Sequence, residues 1–148
     1  MTDQIRIPNI SNYIQEIING ELVLTPKHNF ITESELYMLN LKKSSVESCI
    51  IRNGEEEIST KKKYASILVD LWKSMPVDLI LRTTYYHFKL TRENGDKGYR
   101  WNSDINMSFQ NKDANGAVKE IVNMVKVNNL SIQLTIKLED DRVVKFKI

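Results

Sequence analysis

The side chains able to carry chemistry are few and far apart. Cys49 is the only cysteine, and His28 and His87 are the only histidines. A nucleophilic cysteine needs a histidine partner and an electropositive setting. No motif links Cys49, which lies between Ser48 and Ile50-Ile51, to either histidine, so it is read as a buried structural thiol. A single cysteine also excludes an internal disulfide and any multi-cysteine metal site. The histidines and scattered carboxylates lack HExxH, paired-cysteine and calcium-loop spacing, so no metal is expected. Without a Gly-rich phosphate loop, a GxSxG turn or a Walker lysine, no cofactor is expected either. Two enzyme readings survive as alternatives. In one, Asp78, Asp104 and Lys89 are gathered as nuclease-like acids beside a lysine. In the other, His87, Tyr85 and Asp104 converge in one pocket.

A binding surface is better supported. Alternating residues place Tyr85, His87, Lys89, Arg100 and Asn102 on one face of a presumed hairpin, and Gln133, Lys137, Lys145 and Lys147 on the matching face of another. Lysines and Arg100 can neutralise phosphates, and Tyr85 can stack on a base. The competing view is an ordinary solvated sheet face, or one covered by the acidic N-terminal segment. A protein partner or a homodimer is the first expectation, with an apolar patch of Tyr37, Met38 and Leu39 as its contact surface. Nucleic acid on the basic sheet face is the second, and a small enzyme with a pocket near His87 the third. The chain is therefore expected to be a non-enzymatic binding protein.

Composition narrows the class. The 148 residues carry a net charge of +2, with 41% hydrophobic and 27% charged side chains, which suits one folded domain over residues 1–148. Residues 1–59 hold five basic and nine acidic side chains, whereas residues 60–148 hold sixteen and ten. An acidic helix and hairpin segment therefore precedes a basic sheet-and-helix core. Isoleucine, asparagine and lysine number 17, 14 and 15 against three alanines. That bias accompanies AT-rich genomes and suggests a phage, viral or mobile-element accessory factor. No apolar run approaches the roughly 18 residues of a membrane span, and the N-terminus lacks a secretion pattern, so a cytoplasmic location without membrane contact is expected.

The elements that must position these residues are read from periodicity. Ile10, Tyr13, Ile14, Ile17 and Ile18 follow helical spacing, with Gly20 as the helix end. Leu22–Thr25 reads as a strand. Thr32-Glu33-Ser34-Glu35 has capping-box spacing, although 33–43 also fits a strand. Val46–Arg52 and Glu55–Ser59 form a hairpin about Asn53-Gly54. Ser59 or Thr60 caps a helix running through Tyr64, Ile67, Leu68, Leu71, Trp72 and Met75 to Pro76. Lys61-Lys62-Lys63 would then sit in its first turn, against the helix dipole. A strand Leu79–Thr91 turns at Asn94-Gly95 and returns as Gly98–Gln110, pairing Phe88 with Trp101. A helix through Ala117, Val118, Ile121, Val122 and Val125 follows. Strands near 130–138 and 143–148 close the chain about a three-residue loop, Glu139-Asp140-Asp141, which sets Leu134 opposite Phe146 and Ile136 opposite Val144. The class is α+β. Residues 60–148 follow the order α-β-β-α-β-β, with one four-stranded antiparallel sheet and both helices on its apolar side, centred on Trp72, Trp101, Phe88, Phe109 and Phe146.

Overall fold

The computed structural model describes residues 13–26, 30–93 and 95–148. The chain divides into two contact units, Met1–Phe30 and Ile31–Ile148.

The first unit contains a hairpin of β1 (Tyr13–Ile18) and β2 (Glu21–Pro26), with Ile18 opposite Glu21. The helix expected over 10–18 is thus a strand. Its β-branched isoleucines favour a strand. Asn19 and Gly20, at φ 52° and 79°, supply the two left-handed residues of a type I′ turn, so Gly20 turns a hairpin instead of ending a helix. Ile10 and His28 lie outside the described residues.

The second unit is α+β. Its elements begin at β3 (Phe30–Ile31), a strand that straddles the unit boundary, and continue with α1 (Glu33–Met38), β4 (Ser45–Asn53), β5 (Glu56–Ser59), α2 (Tyr64–Lys73), α3 (Val77–Thr83), β6 (Phe88–Lys89), β7 (Tyr99–Asn102), β8 (Met107–Gln110), α4 (Ala114–Val127), β9 (Ser131–Lys137) and β10 (Val143–Lys147). They build two sheets, ordered β3-β10-β9-β4-β5 and β6-β8-β7. The single four-stranded sheet expected for the C-terminal residues does not form. The β9-β10 hairpin pairs instead with β4, setting Cys49 opposite Leu134 and Ile51 opposite Ile132.

Several elements follow from their local sequence. The capping box fixes α1, because the Thr32 amide donates to Glu35 Oε1 and the Glu35 amide donates to Thr32 Oγ1, each at 3.1 Å. It settles the ambiguous 33–43 segment as helix as far as Met38, where Leu39 turns extended. The C-terminal hairpin has the expected register, with Leu134 facing Phe146 and Ile136 facing Val144. Asp141 takes the left-handed position at φ 68°. In the β4-β5 hairpin the turn is Gly54-Glu55, one residue later than expected, because Asn53 pairs with Glu56. Only Gly54 then needs a positive φ, as in a type II′ turn.

The segment from 59 to 110 departs most from expectation. Ser59 does not cap α2. Its hydroxyl donates to Asp70 at 3.0 Å, the N-cap is Lys63, and Lys61-Lys62-Lys63 precede the helix. The presumed strand 79–91 opens inside α3, whose N-cap is Pro76 (φ −61°) and whose first turn holds Asp78. A short apolar run such as Leu79-Ile80-Leu81 suits helix and strand equally, and Pro76 ends one helix while starting the next. The presumed strand 98–110 is itself a hairpin. Asn102 Oδ1 accepts from the Asp104 amide at 3.0 Å and Asn106 adopts φ 51°, turning β7 back along β8. Phe88 therefore pairs with Phe109, and Trp101 with Ser108.

One buried cluster joins the inner faces of both sheets and the helices. Helix α4 is covered nearly all round and exposes only Lys119 and Lys126 between Ala117 and Lys126. Trp72 stands edge-on to Tyr86, Phe88 and Phe109 at 4.8 to 5.1 Å between ring centres. Trp101 is outside this ring cluster, and Phe146 lies in the other sheet, so the expected five-aromatic centre is divided.

Glu120 of α4 is wholly buried, and its carboxylate collects four donors. These are Trp72 Nε1 at 3.2 Å, the Tyr85 amide at 3.0 Å, Asn123 Nδ2 at 3.3 Å and the Thr84 hydroxyl. Asn123 Nδ2 also donates to the Thr83 carbonyl at 2.6 Å. The chain leaving α3 is thereby latched to α4 and to the central tryptophan. Replacing Glu120 with Ala strands the Trp72 and Tyr85 donors and should cost about 2–4 kcal/mol in urea unfolding. Thr32→Ala, which opens only the exposed capping box, should cost about 1 kcal/mol.

Candidate functional site

The nine residues expected to share one polar face are divided between two sheets. Gln133 and Lys137 on β9, with Lys145 and Lys147 on β10, do share the outer face of the larger sheet. Gln133 stands opposite Lys147, and Thr135 opposite Lys145. Arg52 joins this face on β4, opposite Ser131. Two of these cations are partnered, Lys137 with Asp141 at 3.4 Å and Arg52 with Glu57 at 3.2 Å. A shallow cleft of about 320 Å³ opens here beside Ile50, Gln133 and Lys147. Residues 45–59, part of the 1–59 segment weighed as a cover for this face, extend the sheet edge to edge through β4 and β5. Residues 45–59 of the acidic segment thus share one sheet with β9 and β10 of the basic segment.

Tyr85, His87, Lys89, Arg100 and Asn102 belong to the other sheet or to its approach, and they do not stay together. Lys89 Nζ sits 4.3 Å from the Tyr99 ring centre and 3.8 Å from Glu93, which uses its charge locally. Tyr85 is about half exposed with Lys119 Nζ 4.8 Å over its ring. His87 is exposed, and its carbonyl accepts from the Gln110 amide. Asp104 lines a different cavity that neither Tyr85 nor His87 reaches. The trio expected for the small-enzyme alternative is thus dispersed. The same holds for the acids of the nuclease alternative, since Asp78 lies in the first turn of α3, and Lys89 is engaged elsewhere.

The cavity holding Asp104 was not foreseen. It lies between α2 and the β7-β8 hairpin, has a volume of about 470 Å³, and brings Arg100, Trp101 and Asn102 against Lys61, Asp70 and Lys73. Helix α2 supplies its wall because its other face, carrying Ile67, Leu68, Leu71 and Trp72, is buried in the core. Asp70 is held by Ser59 at 3.0 Å and by Lys73 at 3.6 Å. The Arg92 guanidinium lies 6.0 Å from the Trp101 ring centre. Only the even spacing of β7 was visible in sequence. Its juxtaposition with α2 depends on the turn at 103–106, which the alternating pattern concealed.

A third surface surrounds α1 and the start of α4. Tyr37 and Lys119 line a cavity of about 280 Å³ floored by Leu36, Leu41 and Val118. The Asn115 amide closes one end, donating to the Leu39 carbonyl at 2.7 Å and accepting from the Leu41 amide at 3.0 Å. Burial, aided by the neighbouring Glu33 carboxylate, pushes the Tyr37 hydroxyl up to about 12.

Cys49 points into the core from β4, and burial pushes its thiol up to about 12. A neutral, shielded thiol is a poor nucleophile. At neutral pH a disulfide-exchange reagent should therefore modify Cys49 only as fast as the chain unfolds, with urea restoring rapid reaction; fast labelling of the native protein would contradict this placement. Among the described residues no group of three or more His, Cys, Asp or Glu side chains is arranged to hold a metal ion, and no helix is long and apolar enough to cross a membrane. No protein-family model matches the chain, and neither curated proteins nor solved structures give a significant match.

Proposed function

We propose that the protein is a non-enzymatic binding protein that engages a protein partner through the surface formed by α1 and the start of α4. The observation that carries this reading is the exposure of Met38, at 87%, beside Tyr37, at 40%, on a helix whose one buried residue is Leu36. A capped six-residue helix spends its stability holding these apolar side chains in water. Leu39, expected to join them, turns inward and packs against the core, so the patch is smaller than the sequence suggests. Tyrosine and methionine are suited to this task. Tyrosine offers a rigid ring with a polar tip, and methionine adapts to an irregular surface. The cavity beside Tyr37 gives a partner side chain somewhere to insert, and Lys119, which lies over the Tyr85 ring, gives its rim positive charge. The partner is accordingly one presenting an apolar anchor with carboxylates around it, or a second copy of this chain.

Sedimentation of the purified protein against its Met38→Asp variant tests the self-association arm. If a dimer forms through this surface, the variant should run as a monomer and keep its thermal midpoint. If the wild type is already monomeric, a cross-linked partner captured by the wild type should be lost with Met38→Asp and retained with Lys145→Glu. Loss with Lys145→Glu alone would place the contact on the sheet face and refute the reading.

A further inference from the structure

We infer that the cleft between α2 and the β7-β8 hairpin is a binding site for single-stranded nucleic acid. This goes beyond the protein-docking surface and shares no residue with it. The inference rests on the way cations, an aromatic ring and amides are distributed along the cleft.

The cations form a row. Lys61 precedes α2 and Lys73 is its last residue, so the two lie at opposite ends of a ten-residue helix, roughly 15 Å apart at the usual rise of about 1.5 Å per residue. Arg100 faces them from β7 across the cavity. That span is too long for one phosphate group but suits successive phosphates of an extended strand. Lys62 and Lys63 flank the same end, and Arg92 approaches through Trp101. Of the residues that line the cleft, Lys61, Lys73 and Arg100 are the cations and Asp70 and Asp104 the acids. Asp70 is already committed to Ser59 and Lys73, so it orients a lysine more than it repels a ligand.

The aromatic element separates this site from a general anion trap. Trp101 is half-buried in the edge strand β7, lines the cleft, and is left out of the ring cluster around Trp72. An indole at the wall of the cleft offers a base a stacking surface, and the Arg92 guanidinium lies 6.0 Å from its ring centre. Asn102 and Asn111 stand at the same cleft with amide groups suited to base edges. The outer face of the larger sheet has lysines too, but two of its cations are neutralised by Glu57 and Asp141. On its strands β4, β9 and β10 the outward positions are Ser48, Ile50, Arg52, Ser131, Gln133, Thr135, Lys137, Val143, Lys145 and Lys147, none of them a tryptophan. A duplex fits less well, because a base can reach Trp101 only when it is unstacked from its neighbours.

The test uses the full-length protein with short labelled oligo-dT and oligo-U, read by anisotropy and by tryptophan emission. Binding should weaken by at least ~tenfold between about 50 and about 200 mM salt. It should quench emission from Trp101, since the only other tryptophan, Trp72, is fully buried. Arg100→Glu and Lys61→Glu, both exposed positions, should each weaken binding by about tenfold. Trp101→Leu should abolish the quench and cost a similar factor, and Trp101→Phe should recover part of the affinity. Lys145→Glu with Lys147→Glu should leave binding within about twofold, and Met38→Asp should not change it, which keeps this test separate from the docking surface. Near-UV circular dichroism confirms that each variant is folded. The oligo preferred shows whether DNA or RNA is the natural ligand. The inference is overturned if neither oligo binds, if binding ignores salt, if the Lys145 and Lys147 changes abolish it, or if heparin and duplex DNA bind as tightly with Trp101 unaffected.

Discussion

The Glu120 carboxylate is the contact on which the arrangement of the second unit turns. A charged group enclosed in an apolar core is tolerable only when donors surround it. Here the donors come from three separate stretches of chain: the Trp72 indole of α2, the Thr84 hydroxyl and Tyr85 amide after α3, and Asn123 of α4 itself. Each donor left unsatisfied would carry its own desolvation cost, so the four reinforce one another. The result fixes the tryptophan ring, and the ring in turn fixes Tyr86, Phe88 and Phe109 edge-on around it.

From that anchor the rest of the small sheet is determined. With Thr84 and Tyr85 held against α4, only Tyr86 and His87 separate that anchor from the two-residue β6. Ser108, wholly buried on β8, donates to the Thr91 carbonyl at 2.7 Å and accepts from the Glu93 amide at 2.9 Å, and so ties down the loop that follows. β8 thereby becomes the central strand and β7 the edge. An edge strand next to the solvated side of α2 is the origin of the cleft that holds Arg100, Trp101 and Asn102. The buried polar knot and the exposed groove are two consequences of one packing choice.

Legibility of the fold tracked the range of the interactions involved. The α2 and α4 helices, the capping box of α1 and the three-residue loop of the last hairpin were readable because each is decided within a few neighbouring residues. The same alternation misled over 98–110, where Trp101, Ile105, Met107 and Phe109 keep step across what is a turn. It did so because Asn102 and Asn106 adopt turn geometry without interrupting the count of apolar positions. At Ile14, Ile17 and Ile18 a helical spacing coincided with strand-forming residues, and the Asn19-Gly20 dipeptide was the signal that outweighed it. For the candidate sites, Tyr37 and Met38 were visible as apolar residues beside polar ones. Lys61 and Lys73 gave no sign that they would meet Arg100.

Sequence alone determined the α+β class, the position of the two longer helices, and the inside and outside of β9 and β10, including the face on which Lys145, Lys147 and Gln133 stand. These follow from side-chain periodicity, which is a property of each segment by itself. Tertiary structure decided that β9 would pair with β4, that residues 77–83 would coil into α3, that Glu120 would be buried, and that half of the anticipated basic face would be carried off to a second sheet. Strand edges are chemically alike along their backbones and accept any partner of suitable register. The choice among partners is therefore made by which buried surfaces and hydrogen-bond donors can be satisfied at the same time, and no single segment contains that information.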